Sequence, residues 1–155
     1  MLFQIEEPDG SPVDEPEGPG IAVGIDLAAA YGAVAVAVGG NAETLEARDG
    51  SLGPPTAPLR DVAGRFDPSA TAAALLALRG RAERALGRPV THAVIVVGAP
   101  LDAAGRDAVS EAASASGLVA TRILLVAEAT ALASDVAVHG AAIAAEDDAA
   151  AALRR

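Results

Sequence analysis

The stretch GIDLAAAYGAVAVAV, residues 24–38, decides how this chain is read. Its first part belongs to the run Ile21–Leu27, which is apolar but for Asp26, an aspartate where a buried strand should end. Residues 33–38, AVAVAV, alternate alanine with valine, which is the two-residue period of a strand. The valines should share one face and the alanines the other. Between the two strands lies a turn of Ala28, Ala29 and Ala30. Gly39-Gly40-Asn41 signals a hairpin, and residues 42–47, AETLEA, read as a third, more polar strand. Three strands joined by short turns make an antiparallel meander.

Beyond the meander the period changes. DGSLGPPTAP, residues 49–58, is a loop by its Gly and Pro content. Asp67-Pro68 should open a helix, with Asp67 capping the free N–H groups. Leu75, Leu78, Ala82 and Leu86 form its stripe, and Gly87 and Pro89 stop it. HAVIVVG, residues 92–98, is a continuous apolar run, so a strand covered on both faces. Asp102 should cap a second helix ending near Gly117. TRILLVA, residues 121–127, is another buried strand, followed by a third helix from Glu128 to about Val138. The order β-β-β-α-β-α-β-α predicts an α/β domain, a mixed sheet of about five strands with helices on both faces. The chain divides into an arm (1–20), a domain (21–140) and an alanine-rich C-terminal helix or tail (141–155).

Composition narrows the chemistry. The 155 residues suit one domain. The chain has no cysteine, so disulfides, thiolate metal sites and a cysteine nucleophile are excluded. Its two histidines, His92 and His139, lie far apart in sequence, and both read as structural. Every one of the 11 basic residues is arginine, and the net charge is −10. That balance disfavours nucleic acid and anionic membrane, whose affinities rest on phosphate attraction. Residues 1–20 hold six acids, four prolines and no base, a composition that does not order itself by burial. Leu2, Phe3 and Ile5 within it could form a short docking segment. With no basic leader and no long apolar run, a cytoplasmic protein is expected.

GIDLAAAYGAVAVAV resembles the first phosphate motif of the seventy-kilodalton heat-shock chaperones (DnaK type), within the actin-like ATPase superfamily. In that family a Gly-Ile-Asp-Leu strand leads into a Gly-Thr-Thr turn. GRPVTHAVIVVGAPLDAAGRDAVSEAASASGL, residues 87–118, is similar to the strand and helix that follow there. RILLVAEATALA, residues 122–133, is similar to the family's connecting motif. LFQIEEP, residues 2–8, and GNAETLEARDG, residues 40–50, resemble the opening of the iron–sulfur cluster assembly chaperone (HscA type). The resemblance implies a ribonuclease-H-like fold of the actin-like ATPase kind. It implies protein partners: a cluster-assembly scaffold, a J-type co-chaperone or a full-length chaperone. Self-association is also open, through an exposed sheet edge or the missing lobe interface.

The departures from the family bear on activity. Ala28, Ala29 and Ala30 stand where the resemblance puts the phosphate-gripping turn. The family's catalytic lysine sits on an insertion that is here only about residues 59–66, and the chain has no lysine. The switch proline is Gly98, whereas Arg106 matches the switch arginine; Glu128 is kept and the proline beside it is Ala129. The second lobe and the peptide-binding domain have no counterpart in the sequence. Phosphoryl transfer in this architecture is positioning plus electrostatics, and most of the positioning groups are replaced. The expectation is a domain without ATPase activity, binding protein, with no cofactor and Mg-ATP or Mg-ADP at most weakly held. Asp26 and Glu128 are weak metal candidates, because magnesium at such a site is held mainly by the phosphates. Three alternatives stay open: a residual ATP-binding fragment, a ribonuclease-H-like nuclease using Asp26, Asp102 and Glu128, and a decaying relative with no activity.

Overall fold

The computed structural model describes residues 20–132 and 136–154. The acidic arm, apart from Gly20, therefore lies outside the described residues. Five strands form one sheet: β1 (Ile21–Asp26), β2 (Ala33–Val38), β3 (Asn41–Thr44), β4 (Val90–Val97) and β5 (Val119–Leu125). The spatial order is β3-β2-β1-β4-β5. β1 pairs antiparallel with β2, and β2 with β3, as the meander requires. β4 adds parallel to β1, with Asp26 opposite Val96, and β5 parallel to β4, with Val97 opposite Leu125. This five-stranded mixed sheet with helices on both faces is the arrangement expected of the actin-like ATPase kind.

The valine–alanine alternation of β2 sorts onto two cores. Val34 and Val36 face helices α1 (Pro68–Leu86) and α2 (Ala103–Ala115), together with Val23, Ile25, Ile95, Leu75, Leu78 and Val109. Each large side chain buried there contributes about 1.5–3 kcal/mol. Ala33, Ala35 and Ala37 face the other way, against Val138 and Ala142 of helix α4 (Ala137–Leu153). Helix α4 crosses β1 and β2 through Gly140, Ala141, Ala142, Ala144 and Ala145. Both surfaces are made of small residues, so backbone approaches backbone: a Cβ on Gly24 would lie 2.2 Å from the Ala142 nitrogen. Polar ties fix the rim of this layer. The Glu146 carboxylate accepts the Gly39 and Gly40 N–H groups at 2.6 and 2.9 Å, and His139 Nε2 lies 2.9 Å from Thr44 Oγ1.

Three expectations change. The third helix does not run to Val138: α3 spans Val126–Thr130, and the chain resumes as α4 at Ala137. The Thr130 hydroxyl donates to the Val126 and Ala127 carbonyls at 3.0 and 3.3 Å, a local bond that competes with helix continuation. The division drawn at residue 140 falls inside α4, which is a layer of the domain, and His139 sits within that helix. Asp67 occupies the N-cap of α1 without a side-chain capping bond, whereas the Asp102 carboxylate accepts the Gly105 N–H at 2.8 Å.

Thr71 in α1 is fully buried, and its hydroxyl has no hydrogen-bond partner among the described residues. An unpaired buried hydroxyl costs about 1–3 kcal/mol. Thr71→Val keeps the shape and removes the polar atom. It is expected to stabilise the fold by about 1 kcal/mol, read as a higher urea midpoint at an unchanged slope.

Candidate functional site

β1, β4 and β5 run parallel, so their carboxyl ends share one edge. The turn after β1, the segment after β4 and the start of α3 therefore sit side by side. Open α/β sheets place ligands at this edge. Asp26, Ala28–Ala30, Gly98 and Glu128 all map to it.

Asp26, at the end of β1, is buried. It is 8% exposed, and its Oδ1 accepts the Ala28 N–H at 2.7 Å. The carboxylate thus closes its own turn, as aspartates do in Asx turns. The Leu27 N–H donates to the Val96 carbonyl at 2.9 Å, continuing the ladder past the strand end. The rest of the turn is tied from outside. The Thr56 N–H donates to the Ala30 carbonyl at 3.0 Å, and the Thr56 hydroxyl reaches the Ala29 and Ala30 carbonyls. The Gly32 N–H donates to the Pro54 carbonyl at 2.7 Å, and a Cβ on Gly53 would overlap the Gly32 carbonyl. Residues 53–56 therefore lie directly on the exit of the turn. Tyr31 is half-exposed there and bridges Pro55.

Gly98 is brought next to this turn. A Cβ at position 98 would stand 3.7 Å from the Ala28 methyl, an ordinary contact, so a side chain fits. Glu128 stands beyond β4, at the end of β5. Its Oε1 accepts the Leu125 N–H at 2.8 Å, capping α3. Arg106 is exposed on α2 and belongs to no ion pair among the described residues. Asp26, Asp102 and Glu128, the residues of the nuclease alternative, are each spent on a separate backbone cap. Among the described residues no three acids or histidines lie together as metal ligands.

Residues 59–66 close the neighbouring side of the edge. A cavity of about 580 Å³ lies between them and the start of α2, lined by Arg60, Arg65, Phe66, Leu101 and Asp102. The Arg60 guanidinium stacks 4.2 Å over the Phe66 ring. Asp61 accepts the backbone N–H groups of Ala63 and Arg65 and the Arg65 side chain, each within 3.0 Å. The Arg65 backbone bond is the leading cause that holds the Asp61 carboxyl below its ordinary range. Both arginines are thus engaged within their own loop, Arg60 also donating to the Gly64 carbonyl at 2.8 Å.

Sequence reasoning missed Thr56, which does most to fix the turn. It lies in a Gly- and Pro-rich segment read only as a loop, and nothing local marks a partner 26 residues away. Among the described residues no helix is long and apolar enough to cross a membrane.

Comparison with known proteins gives the domain its lineage. Nothing among curated proteins matches the chain. A family model described as Hsp70 protein matches residues 57–138. That span begins after the alanine turn and covers α1, β4, α2, β5 and α3, with Gly98, Arg106 and Glu128 inside it. It takes in just over half of the sequence, so the chain belongs to the Hsp70 family.

Proposed function

We propose that this chain is a chaperone-family domain that has given up ATP turnover and works by binding protein. The observation that carries the reading is the state of the turn after β1. A phosphate grip needs backbone N–H groups converging on open space, helped by hydroxyls and a cation. Here Asp26 takes the Ala28 N–H, and Thr56 takes the Ala29 and Ala30 carbonyls. The side chains offered to solvent are methyl groups, and no lysine exists anywhere in the sequence. Glu128, the other acid of the edge, is committed to α3. The likeness of residues 2–8 and 40–50 to the cluster-assembly chaperone supports a partner in iron–sulfur assembly: its scaffold or its J-type co-chaperone.

Titration calorimetry with Mg-ADP and Mg-ATP tests the first half of this proposal. No binding tighter than about 100 μM, roughly −5.5 kcal/mol, is expected. A tighter isotherm, or phosphate release that is lost in Asp26→Asn, would overturn it. The second half is tested by titrating the purified scaffold and J-type protein onto the chain. Silence with both would remove the cluster-assembly reading and leave the nucleotide result standing.

A further inference from the structure

Helix α1 buries Thr71, Ala74, Leu75, Leu78 and Ala82. On its outer side Leu76, Gly80 and Arg84 follow at four-residue steps, so they stand in one row. Leu76 is 56% exposed, and Leu52, in the loop beside it, is 67% exposed. With Pro54 and Arg81, these residues line a groove of about 290 Å³. Arg81 Nη2 donates to the Ser51 and Leu52 carbonyls at 3.3 and 3.1 Å. The loop is thereby fixed against the helix, and both walls stand in place before anything binds.

Gly80 is the floor of this groove. A glycine inside a helix costs stability relative to alanine, and close approach of a neighbour is the usual reason for one. Among the described residues no neighbour requires it. A Cβ at position 80 would meet only the tip of the Arg84 side chain, with Nη1 3.2 Å away, and that chain can swing aside. The bare position instead lets a side chain from outside lie directly on the helix. The same contact draws the Arg84 guanidinium over the floor. Arg81 and Arg84 are the charged residues of the groove, and among the described residues no carboxylate lines it. Glu46 and Asp49 are exposed in the adjoining groove, which shares the two arginines, and neither forms an ion pair with them among the described residues. A chain of net charge −10 thus presents here an apolar trough with a cationic rim.

We infer that this groove docks an acidic segment of a partner protein, with a Leu or Phe side chain on Gly80 between Leu52 and Leu76 and a carboxylate on Arg84. The inference rests on the protein-binding role proposed above and names a surface for it. The apolar anchor supplies most of the affinity, as buried anchors do at interfaces. The charges select the partner: an acidic segment meets opposite charge at the rim, and a basic one meets like charge.

The probe is a fluorescent peptide of about twelve residues, Glu and Asp with a pair of leucines spaced to share one helical face. Titrated onto the full chain by anisotropy, it should bind about tenfold tighter than the same peptide with Gln for Glu and Asn for Asp. That advantage should vanish in 1 M salt, where the Debye length falls to about 3 Å. Changing the peptide's leucines to alanine should weaken it by about tenfold. Gly80→Leu should raise the urea midpoint of the protein, because leucine is the better helix former, and yet weaken the peptide by about tenfold. Arg84→Glu should weaken it as much. A peptide that does not bind, or that binds both variants as well as the wild type, would overturn the inference. So would tighter binding of a lysine-bearing peptide. Capture of the chain by phosphatidylglycerol vesicles, lost in both variants, would make the groove a membrane site and overturn it too. If the peptide fails while the scaffold or the J-type protein binds, the inference falls and the protein-binding reading stands.

Discussion

Gly24→Val is expected to lower the unfolding free energy by about 3 kcal/mol, the upper end of what overpacking costs. Gly24 sits in the central strand β1, on the face that carries α4. A Cβ there would lie 2.2 Å from the Ala142 nitrogen and 2.5 Å from the Ala141 carbonyl carbon. Those are backbone atoms of a helix, so no rotamer change relieves the contact. Helix α4 must lift, and its small-residue face then loses contact with Ala35 and Ala37. A domain of this kind has about 5–15 kcal/mol of stability in all, so the shift is large and easily read from urea unfolding. Gly24→Ala should move the midpoint the same way by less. If Gly24→Val unfolds at the wild-type midpoint, α4 is not seated on β1 as described.

The same glycine shows what the sequence could and could not reveal. The opening stretch carried two strands and their facing, because Val34 and Val36 against Ala35 and Ala37 is a period that only a two-sided strand produces. The stripe of Leu75, Leu78 and Ala82 carried α1 in the same way, and all three are fully buried. A C-terminal helix was legible, but the packing of α4 was hidden by its composition. A face of Gly140, Ala141, Ala142, Ala144 and Ala145 has no contrast with the alanines around it, so hydrophobic periodicity is silent about which side is buried. Its partner surface is equally small, and complementarity between two such faces appears only when they are placed together. The resemblance named Asp26, Ala28–Ala30, Gly98 and Glu128 motif by motif and not as neighbours. The parallel pairing of β1, β4 and β5 brings them to one edge of the sheet. What remained illegible was how their polar groups are spent. Asp26 looked available from its place at a strand end, yet its bond to Ala28 depends on a turn conformation that residue types do not specify. Thr56 acts across a long loop, where no local pattern links it to the turn.

Arg79→Met should cost about 2–3 kcal/mol, because the lost bonds are charge-assisted and two of their partners are buried. Arg79 Nε donates to the Val90 carbonyl at 3.1 Å and to Glu83 Oε2 at 3.3 Å, and Nη1 donates to the Ser116 carbonyl at 2.9 Å. Glu83 Oε2 in turn accepts the Val90 N–H at 2.9 Å. One guanidinium therefore joins α1 to the start of β4 and the end of α2. The turn after α2 leaves room for it only because residue 117 is glycine: a Cβ there would lie 2.2 Å from Arg79 Nη1. Methionine keeps much of the packed stem and removes the donors, so the loss reads the hydrogen bonds and not the volume. Val90 and Ser116 are both buried, and their carbonyls find no replacement from water without opening the α1–α2 contact. Glu83→Gln should cost less and should be non-additive with Arg79→Met, with a coupling of about 0.5–3 kcal/mol measured by a double-mutant cycle. Additive losses would mean that the two side chains act separately. Salt separates the contributions further: the half-exposed Arg79–Glu83 attraction is screened, whereas bonds to buried carbonyls are not. Most of the Arg79→Met effect should therefore survive in 1 M salt. An effect that vanished there would reduce the latch to a surface ion pair.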